Sequence, residues 1–366
     1  MKKLLINLLL ILVVSGVKCQ SNQNAVSQAQ MEKIYEEVKT PYKYGLVMVP
    51  TDDSKKMDSP SVFRKGKMWY MVYIIFDGRG YETWLAKSNN LLDWEKTGRL
   101  MPFSDSTNWD WIQKAGYTGL QDYKWEGKYE LNKFRNKYWM SYIGGGTKGY
   151  EAGRLSTGIA YTHHNPAKAH EWQRLKEPVL MSVDKDVRWW ENNTIYKSSI
   201  IWDKSKTIGY PFVMYYNAKG DSIDPNPGVE RIGMAVSNDM VHWQRYLKNP
   251  VLEHPEGITG DAFIQKIDNL WIMFYFGAFW TKKEGAFNRF ACSTDLVNWT
   301  DWTGDHLIQP SENYDRKFAH KSFVIKWEGV VYHFYCAVNQ KDQRGIAVAT
   351  SKDIGKSKLF FKSENN

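Results

Sequence analysis

Cysteine is almost missing from this chain, with three in 366 residues. Cys292 and Cys336 sit in strand-like apolar surroundings, RFACST and HFYCAV, and neither has the spacing of a metal or redox motif. Two buried thiols acting as small hydrophobes are expected there, with a disulfide between them as the alternative. Basic blocks are missing too. The 49 Lys and Arg outnumber the 40 Asp and Glu for a net charge of +9, yet no run of five or six basic residues occurs. Charge scattered in this way argues against a nucleic-acid partner and at most favours an acidic glycan or surface. Long apolar runs are confined to the first residues, so no membrane span is expected elsewhere.

That first run has the make-up of a secretory signal. Lys2 and Lys3 precede LLINLLLILVV, and small residues lead on to Cys19-Gln20. The reading is a signal peptide over residues 1–19, cleaved near Cys19 and Gln20, and an exported protein, periplasmic or extracellular. Lys18 spoils a lipoprotein box at Cys19, which leaves a lipid anchor as second choice. Residues 20–43 form an extension in which Met31, Ile34, Tyr35 and Val38 share a face at helical spacing, and Pro41 ends that short helix. GLVMVP, next along the chain, reads as a strand that pairs with the last module.

Aromatic side chains and repetition are what the chain has in abundance. Trp, Tyr and Phe make up 15% of it, more than a core alone needs, and sugar binding is one use for such rings. Five segments read as hairpins: SPSVFRKGKMWYMVYI, KYELNKFRNKYWMSYIG, KSSIIWDKSKTIGYPFVMYYN, GDAFIQKIDNLWIMFYFG and HKSFVIKWEGVVYHFYCAV. After each comes a small residue, a spacer and Ser or Thr, usually ahead of a Trp: Ala86/Ser88/Trp94, Ala160/Thr162/Trp172, Ala235/Ser237/Trp243, Ala291/Ser293/Trp299, and Ala349/Ser351 without the Trp. In three copies Ser and Trp are six residues apart. Units of four short strands, none able to bury both faces alone, predict an all-β fold: a closed five-bladed β-propeller over residues 44–366, one domain, with the short helix ahead of it. Spare length falls in MPFSDSTNWDWIQKAGYTGLQDYKWEG and KEPVLMSVDKDVRWWENNT, read as pocket walls.

In such a ring the inner strands meet at a central channel. The residues expected there are Asp58, Glu130, Lys197, Asp261, and His320 with Lys321, the register of Asp261 being open by one residue. Trp109, Trp111, Trp125, Trp189, Trp190 and Trp280 lie in loops or just past strands, where a ring can stack on a sugar. Arg79, Glu82 and Arg188 are candidates for hydroxyl contacts, and the Trp of the Ser/Trp copies read as core.

The signal, the modules, Asp58-Ser59-Pro60-Ser61 ahead of the first inner strand and the Ser/Trp pattern together resemble the five-bladed glycoside hydrolases of family 43 and its relatives, families 117 and 130. The likeness covers about residues 44 to 354. It implies Asp58 as general base, Asp261 as general acid where family 43 has Glu, and His320 at the channel centre. Lys197 stands where that family has an Asp that tunes the acid. Family 117 implies a His as the acid, which would be His320. The likeness also allows a divalent cation near His320, although no ligand spacing argues for one.

The leading expectation is an exo-acting, inverting hydrolase of oligosaccharides from plant or algal polysaccharide. Its acid would be kept protonated by burial or by a neighbouring carboxylate such as Glu130 or Glu191. The alternatives are a family 130-like phosphorylase, with Lys197, His320, Lys321 and Arg316 holding phosphate, and a non-catalytic carbohydrate-binding propeller.

Overall fold

Strands form where β-branched and aromatic residues run between turn residues, and they join as antiparallel meanders. The computed structural model describes residues 25–168, 172–281 and 285–362. The signal expected over residues 1–19, with Cys19, lies outside the described residues. Helix α1 (Gln28–Val38) starts at a capping box between Ser27 and Gln30 and buries Met31, Ile34 and Val38. Tyr35, on the same face, stacks on Trp302 with ring centroids 5.0 Å apart. No helix among the described residues is long and apolar enough to cross a membrane.

After β1 (Tyr42–Met48), the first meander comprises β2 (Lys56–Lys65), β3 (Met68–Phe76), β4 (Tyr81–Ser88) and β5 (Glu95–Met101). The second runs through β6 (Gln113–Thr118), β7 (Tyr138–Gly145), β8 (Ser156–Thr162) and β9 (Gln173–Arg174). The third is β10 (Thr194–Trp202), β11 (Phe212–Lys219), β12 (Glu230–Ser237) and β13 (Trp243–Arg245). The fourth is β14 (Ile258–Ile267), β15 (Leu270–Ala278), β16 (Ala286–Ser293) and β17 (Thr300–Asp301). Last come β18 (Phe318–Trp327), β19 (Val330–Val338) and β20 (Arg344–Thr350). Strand β1, the GLVMVP segment, pairs antiparallel with β20, so the two ends of the sequence lie in one sheet.

Neighbouring meanders touch through single parallel bridges: Tyr81 with Gln113, Glu230 with Ile258, Ala286 with Phe318 and Arg344 with Lys56. Between β8 and β10 the described residues form no ladder, and the Ile195 N–H donates to the Leu155 carbonyl at 3.2 Å instead. The fold is therefore all-β and consistent with a propeller, without continuous strand pairing around it.

One expected hairpin is corrected. β7 pairs with β6, upstream of the segment that begins KYELNKF. Between them, Leu120, Glu126, Tyr129, Arg135 and Asn136 all have positive φ, which no continuous strand accommodates.

The Ser/Trp signature proves to be a turn. Ser88, Ser237 and Ser293 Oγ each accept from the backbone two residues on, at 3.2, 3.1 and 3.1 Å. Trp94, Trp243 and Trp299 Nε1 donate back to Leu91, Met240 and Leu296 carbonyls at 2.9, 3.1 and 3.2 Å. These rings are partly buried and pack against the core from its edge. Cys292 and Cys336 are buried and free, in keeping with thiols that act as small hydrophobes.

Candidate active site

The first strands of four meanders, β2, β10, β14 and β18, share one irregularity near their starts. Two residues oppose one on the partner strand at Ser59-Pro60, Tyr196-Lys197, Asp261-Ala262 and Lys321-Ser322. Three of the leading residues, Ser59, Asp261 and Lys321, have φ of 50°, 57° and 63°. A left-handed backbone away from glycine is costly and persists where the surroundings enforce it. Asp58 thus stands level with Gly260 and His320, and Asp261 one step on, level with Ser59 and Lys321.

These bulges turn side chains into a cavity of about 190 Å³. Its charged and titratable lining is Lys197, Asp261 and Lys321 from the bulges, His320 just before one, Glu230 and Arg344 from the first residues of β12 and β20, and Glu151 from the loop after β7. Tyr81, Tyr117, Tyr150, Tyr196, Phe276, Phe279 and Phe318 supply its aromatic walls. Deeper along the same strands, Phe263 and Phe323 stack with centroids 4.0 Å apart. They border a void of only about 10 Å³.

Asp58 lies just behind the wall, 1% exposed. Its Oδ2 accepts from Lys321 Nζ at 3.0 Å and from Arg344 Nη1 at 3.2 Å. Burial alone would raise this carboxyl, but the neighbouring cations outweigh it and hold it well below the usual carboxylate range. The permanent charge comes from Lys321 and Arg344, because burial lowers the His320 imidazole to about 3 and keeps it neutral. His320 Nδ1 lies 3.2 Å from the Cys336 carbonyl, to which the neutral ring donates.

The opposite state prevails at Glu230. Burial first, and then the charge of Glu151, push its carboxyl up to about 8. Its Oε2 accepts from Asn217 Nδ2 at 3.1 Å. Burial also raises Glu151, with Lys321 opposing the rise, and Tyr81 Oη donates to its Oε1 at 3.3 Å. One cavity therefore presents a carboxylic acid at neutral pH beside a second carboxyl, whose charged form burial disfavours and Lys321 favours.

Comparison with known proteins meets this geometry from outside. A solved structure named "Glycoside hydrolase" is 52% identical, with 92% of this chain and 98% of that one covered, at a TM-score of 0.89. The chain belongs to the glycoside hydrolases. A second solved structure, of BT0996 in a complex with RGII, is 53% identical over 92% of this hydrolase and 98% of its own length, TM-score 0.89. Family 43 and family 117 glycoside hydrolases share the fold at low identity. Zg3597, a family 117 enzyme of the marine bacterium Zobellia galactanivorans, is 14% identical over 90% of this chain and 97% of its own, TM-score 0.60. No protein-family model matches the hydrolase, nor does any curated protein.

Of the residues expected at the channel, Lys197, Asp261, His320 and Lys321 line the hydrolase's cavity and Asp58 backs onto it. Glu130 does not reach it. It is exposed, in an isolated bridge with Arg64, because β6 is the first strand of its meander and contributes Tyr117 to the cavity instead. The expected Trp walls lie elsewhere too. Trp125 is buried with Nε1 donating to Glu37 at 2.7 Å, Trp190 stacks on Tyr216, and Trp280 stacks on His254.

Glu191 is buried between Arg245, Tyr216 and the Arg188 backbone, while Arg188 Nε donates to the Leu247 carbonyl. Glu82 accepts from Arg99 and from the Phe103 N–H, and Arg79 pairs with Asp77. Each side chain has found a partner within its own wall, and none lines the cavity.

A divalent cation near His320 does not fit this hydrolase. Asp58, His320 and Cys336 place potential ligand atoms within 4.8 Å of one another. Yet Lys321 and Arg344 already neutralise Asp58, and burial drives the Cys336 thiol well above its ordinary value. A phosphate site assembled from Lys321 meets the same obstacle, and Arg316 stays outside the cavity.

Glu151, Glu230, Arg344 and the Tyr walls escaped sequence reasoning, although part of the signal was there. Tyr81, Glu230, Ala286 and Arg344 each stand seven residues before the Ser of a Ser/Trp copy, and all four line the cavity. The same count in the second meander gives Leu155, and the loop before it supplies Tyr150 and Glu151 instead.

Proposed function

We propose that this glycoside hydrolase is exported, folds its five meanders as the blades of one propeller domain, and removes terminal sugars from an oligosaccharide. Glu230 is the general acid and Glu151 the partner carboxylate. The observation that carries this reading is the Glu230 carboxyl, held at about 8 beside Glu151 in a sugar-sized cavity. Glycoside hydrolysis needs one carboxyl that still carries its proton near neutral pH and another that does not.

On this reading the glycosidic oxygen lies against Glu230 and takes its proton as the bond to the anomeric carbon breaks. A water oxygen ends on that carbon, its proton passing to Glu151 in an inverting reaction or, after a Glu151 ester has formed, back to Glu230 in a retaining one. Glu151, with Tyr81 holding one oxygen and Lys321 favouring its charged form, faces the positive charge that develops on the sugar ring. Asp58 is a poor base here because two cations already occupy it, and neutral His320 has no proton to spare as an acid. A cavity of about 190 Å³ is small beside the ~300–1,000 Å³ of drug-sized sites, which suits one sugar ring and exo action.

The RGII named in the complex of the 53% identical relative is the first substrate to test. Purified protein incubated with it and with a panel of aryl glycosides, with and without phosphate, is expected to release a monosaccharide at a rate indifferent to phosphate. The anomer released, read by NMR, reports the geometry of the Glu pair. Inversion goes with a separation of ~6.5–9.5 Å and retention with ~5–5.5 Å. Undiminished turnover by Glu230→Gln would remove the proposal.

A further inference from the structure

We propose that Lys197 and Asp261 together hold a single hydroxyl group of the bound sugar, Lys197 donating to its oxygen and Asp261 accepting its proton. This rests on the hydrolase reading above and names what the same site recognises.

Lys197 Nζ and Asp261 Oδ2 face each other at 3.5 Å, outside the ~2.7–3.2 Å of an ordinary N–H···O bond. Neither atom has a hydrogen-bond partner. Their side chains are 6% and 5% exposed, and both line the cavity. A buried polar atom left unpaired costs about 1–3 kcal/mol, and more when charged. The two form an ion pair without a hydrogen bond, and the Tyr117 ring 5.0 Å from Nζ offers no lone pair, so a group that can accept and donate at once would complete both.

Among sugar substituents the hydroxyl does both. A ligand carboxylate or phosphate would satisfy Lys197 and be repelled by Asp261, and an amine would reverse the conflict, so the pair selects a neutral polyol.

Backbone geometry supports the assignment. Both residues sit at the bulges of their meanders' first strands, and Asp261 has a left-handed backbone there. The Asp261 N–H donates to Asn217 Oδ1 at 3.4 Å, while the same amide's Nδ2 donates to Glu230. One Asn side chain thus ties the hydroxyl site to the acid. The void of about 10 Å³ beneath Lys197 is not bordered by Asp261, so a water there would satisfy only one of the two.

The test compares a cleaved glycoside with analogues lacking one hydroxyl of the terminal sugar at a time. A site built around a hydroxyl rejects the analogue without it by about 10⁴-fold in kcat/KM. At one position the wild type is expected to show that penalty, and in Lys197→Met and in Asp261→Asn the penalty at this position alone collapses. Both variants lose activity on the parent, and penalties at the other positions persist, which a general structural defect would not reproduce. Penalties unchanged at every position in both variants would overturn the assignment while leaving hydrolysis itself intact.

A binding arm keeps the two readings apart. Calorimetric titration of Glu230→Gln with methyl glycosides of L-arabinose, D-xylose, D-galactose and D-glucose, and their monodeoxy forms, needs no turnover. Binding weakened at one position, with no further weakening when Lys197→Met is added, supports the hydroxyl site even if no glycan is cleaved. Equal affinity for all the deoxy forms, or no binding of any of these sugars, overturns it.

Discussion

Asp58 and Glu230 are both carboxyls withdrawn from water at one cavity, and they end in opposite charge states. Burial pushes both towards the neutral form. Asp58 has an ammonium at 3.0 Å and a guanidinium at 3.2 Å, so its charge is kept. Glu230 has an amide at 3.1 Å, a second carboxyl for a neighbour and only one cation, Lys219, to oppose burial, so its proton is kept. The number of cations within reach, and not the depth of burial, separates a pinned carboxylate from a working acid.

The sharpest way to break that comparison is Glu230→Gln. Loss of a general acid is expected to lower kcat/KM by about 10²–10⁴-fold, with the melting temperature little changed, because the amide still meets Asn217. Lys321→Met attacks the other end. It leaves buried Asp58 with Arg344 alone, and breaking a buried pair costs up to about 3–5 kcal/mol, read from the midpoint of urea unfolding. A midpoint unmoved by this change would mean that Lys321 does not hold the Asp58 charge.

The variant should also lose stability to acid at higher pH. The folded Asp58 carboxyl lies below its unfolded value of about 3.9, so its contribution is complete above that value and lost as pH falls through the folded one. Removing Lys321 raises the folded value and moves that loss upward.

Gln113 offers a finer probe of how the Glu151 side of the site is held. Fully buried, it accepts from the Tyr81 N–H at 3.2 Å and donates to the Thr147 and Gly149 carbonyls, both at 2.8 Å. It straps the loop that carries Glu151 to the strand that carries Tyr81. Gln113→Leu is expected to lower kcat about 10-fold by misplacing a reacting group, with KM nearly unchanged. An equal change in KM would assign Gln113 to binding instead.

The smallest effect is in the pH profile. A folded Glu230 value of about 8 lies above the unfolded ~4.3, so its contribution to stability is complete below ~4.3 and is lost as pH rises through about 8. Activity follows the same proton: kcat/KM is expected to halve near pH 8 and to fall further above it. An alkaline limb that begins near pH 5 would mean that Glu230 is not the acid.

Much of the architecture was legible because its causes are local. Alternation at period two marks β2 with β3 and β14 with β15, and the Ser/Trp turn repeats wherever a Ser oxygen caps the backbone two residues on. The second meander misled because residues 119–137 carry the apolar and aromatic residues of a strand on a backbone that takes positive φ at several steps. Counting residue types at strand starts found Lys197, Asp261, His320 and Lys321. It also named Glu130, which is exposed, and passed over Glu230, which opens a third strand rather than a first.

By itself the sequence determined the all-β repeat and the short helix ahead of it, since turn chemistry and apolar periodicity act between near neighbours. Only the tertiary structure decided which acidic groups are charged. Asp58 meets Arg344 across 286 residues of chain, and Glu230 keeps its proton because burial and Glu151 outweigh the one cation, Lys219, that opposes them. A carboxyl's charge is set by the field of groups that folding gathers around it, and most of that field comes from residues distant in sequence.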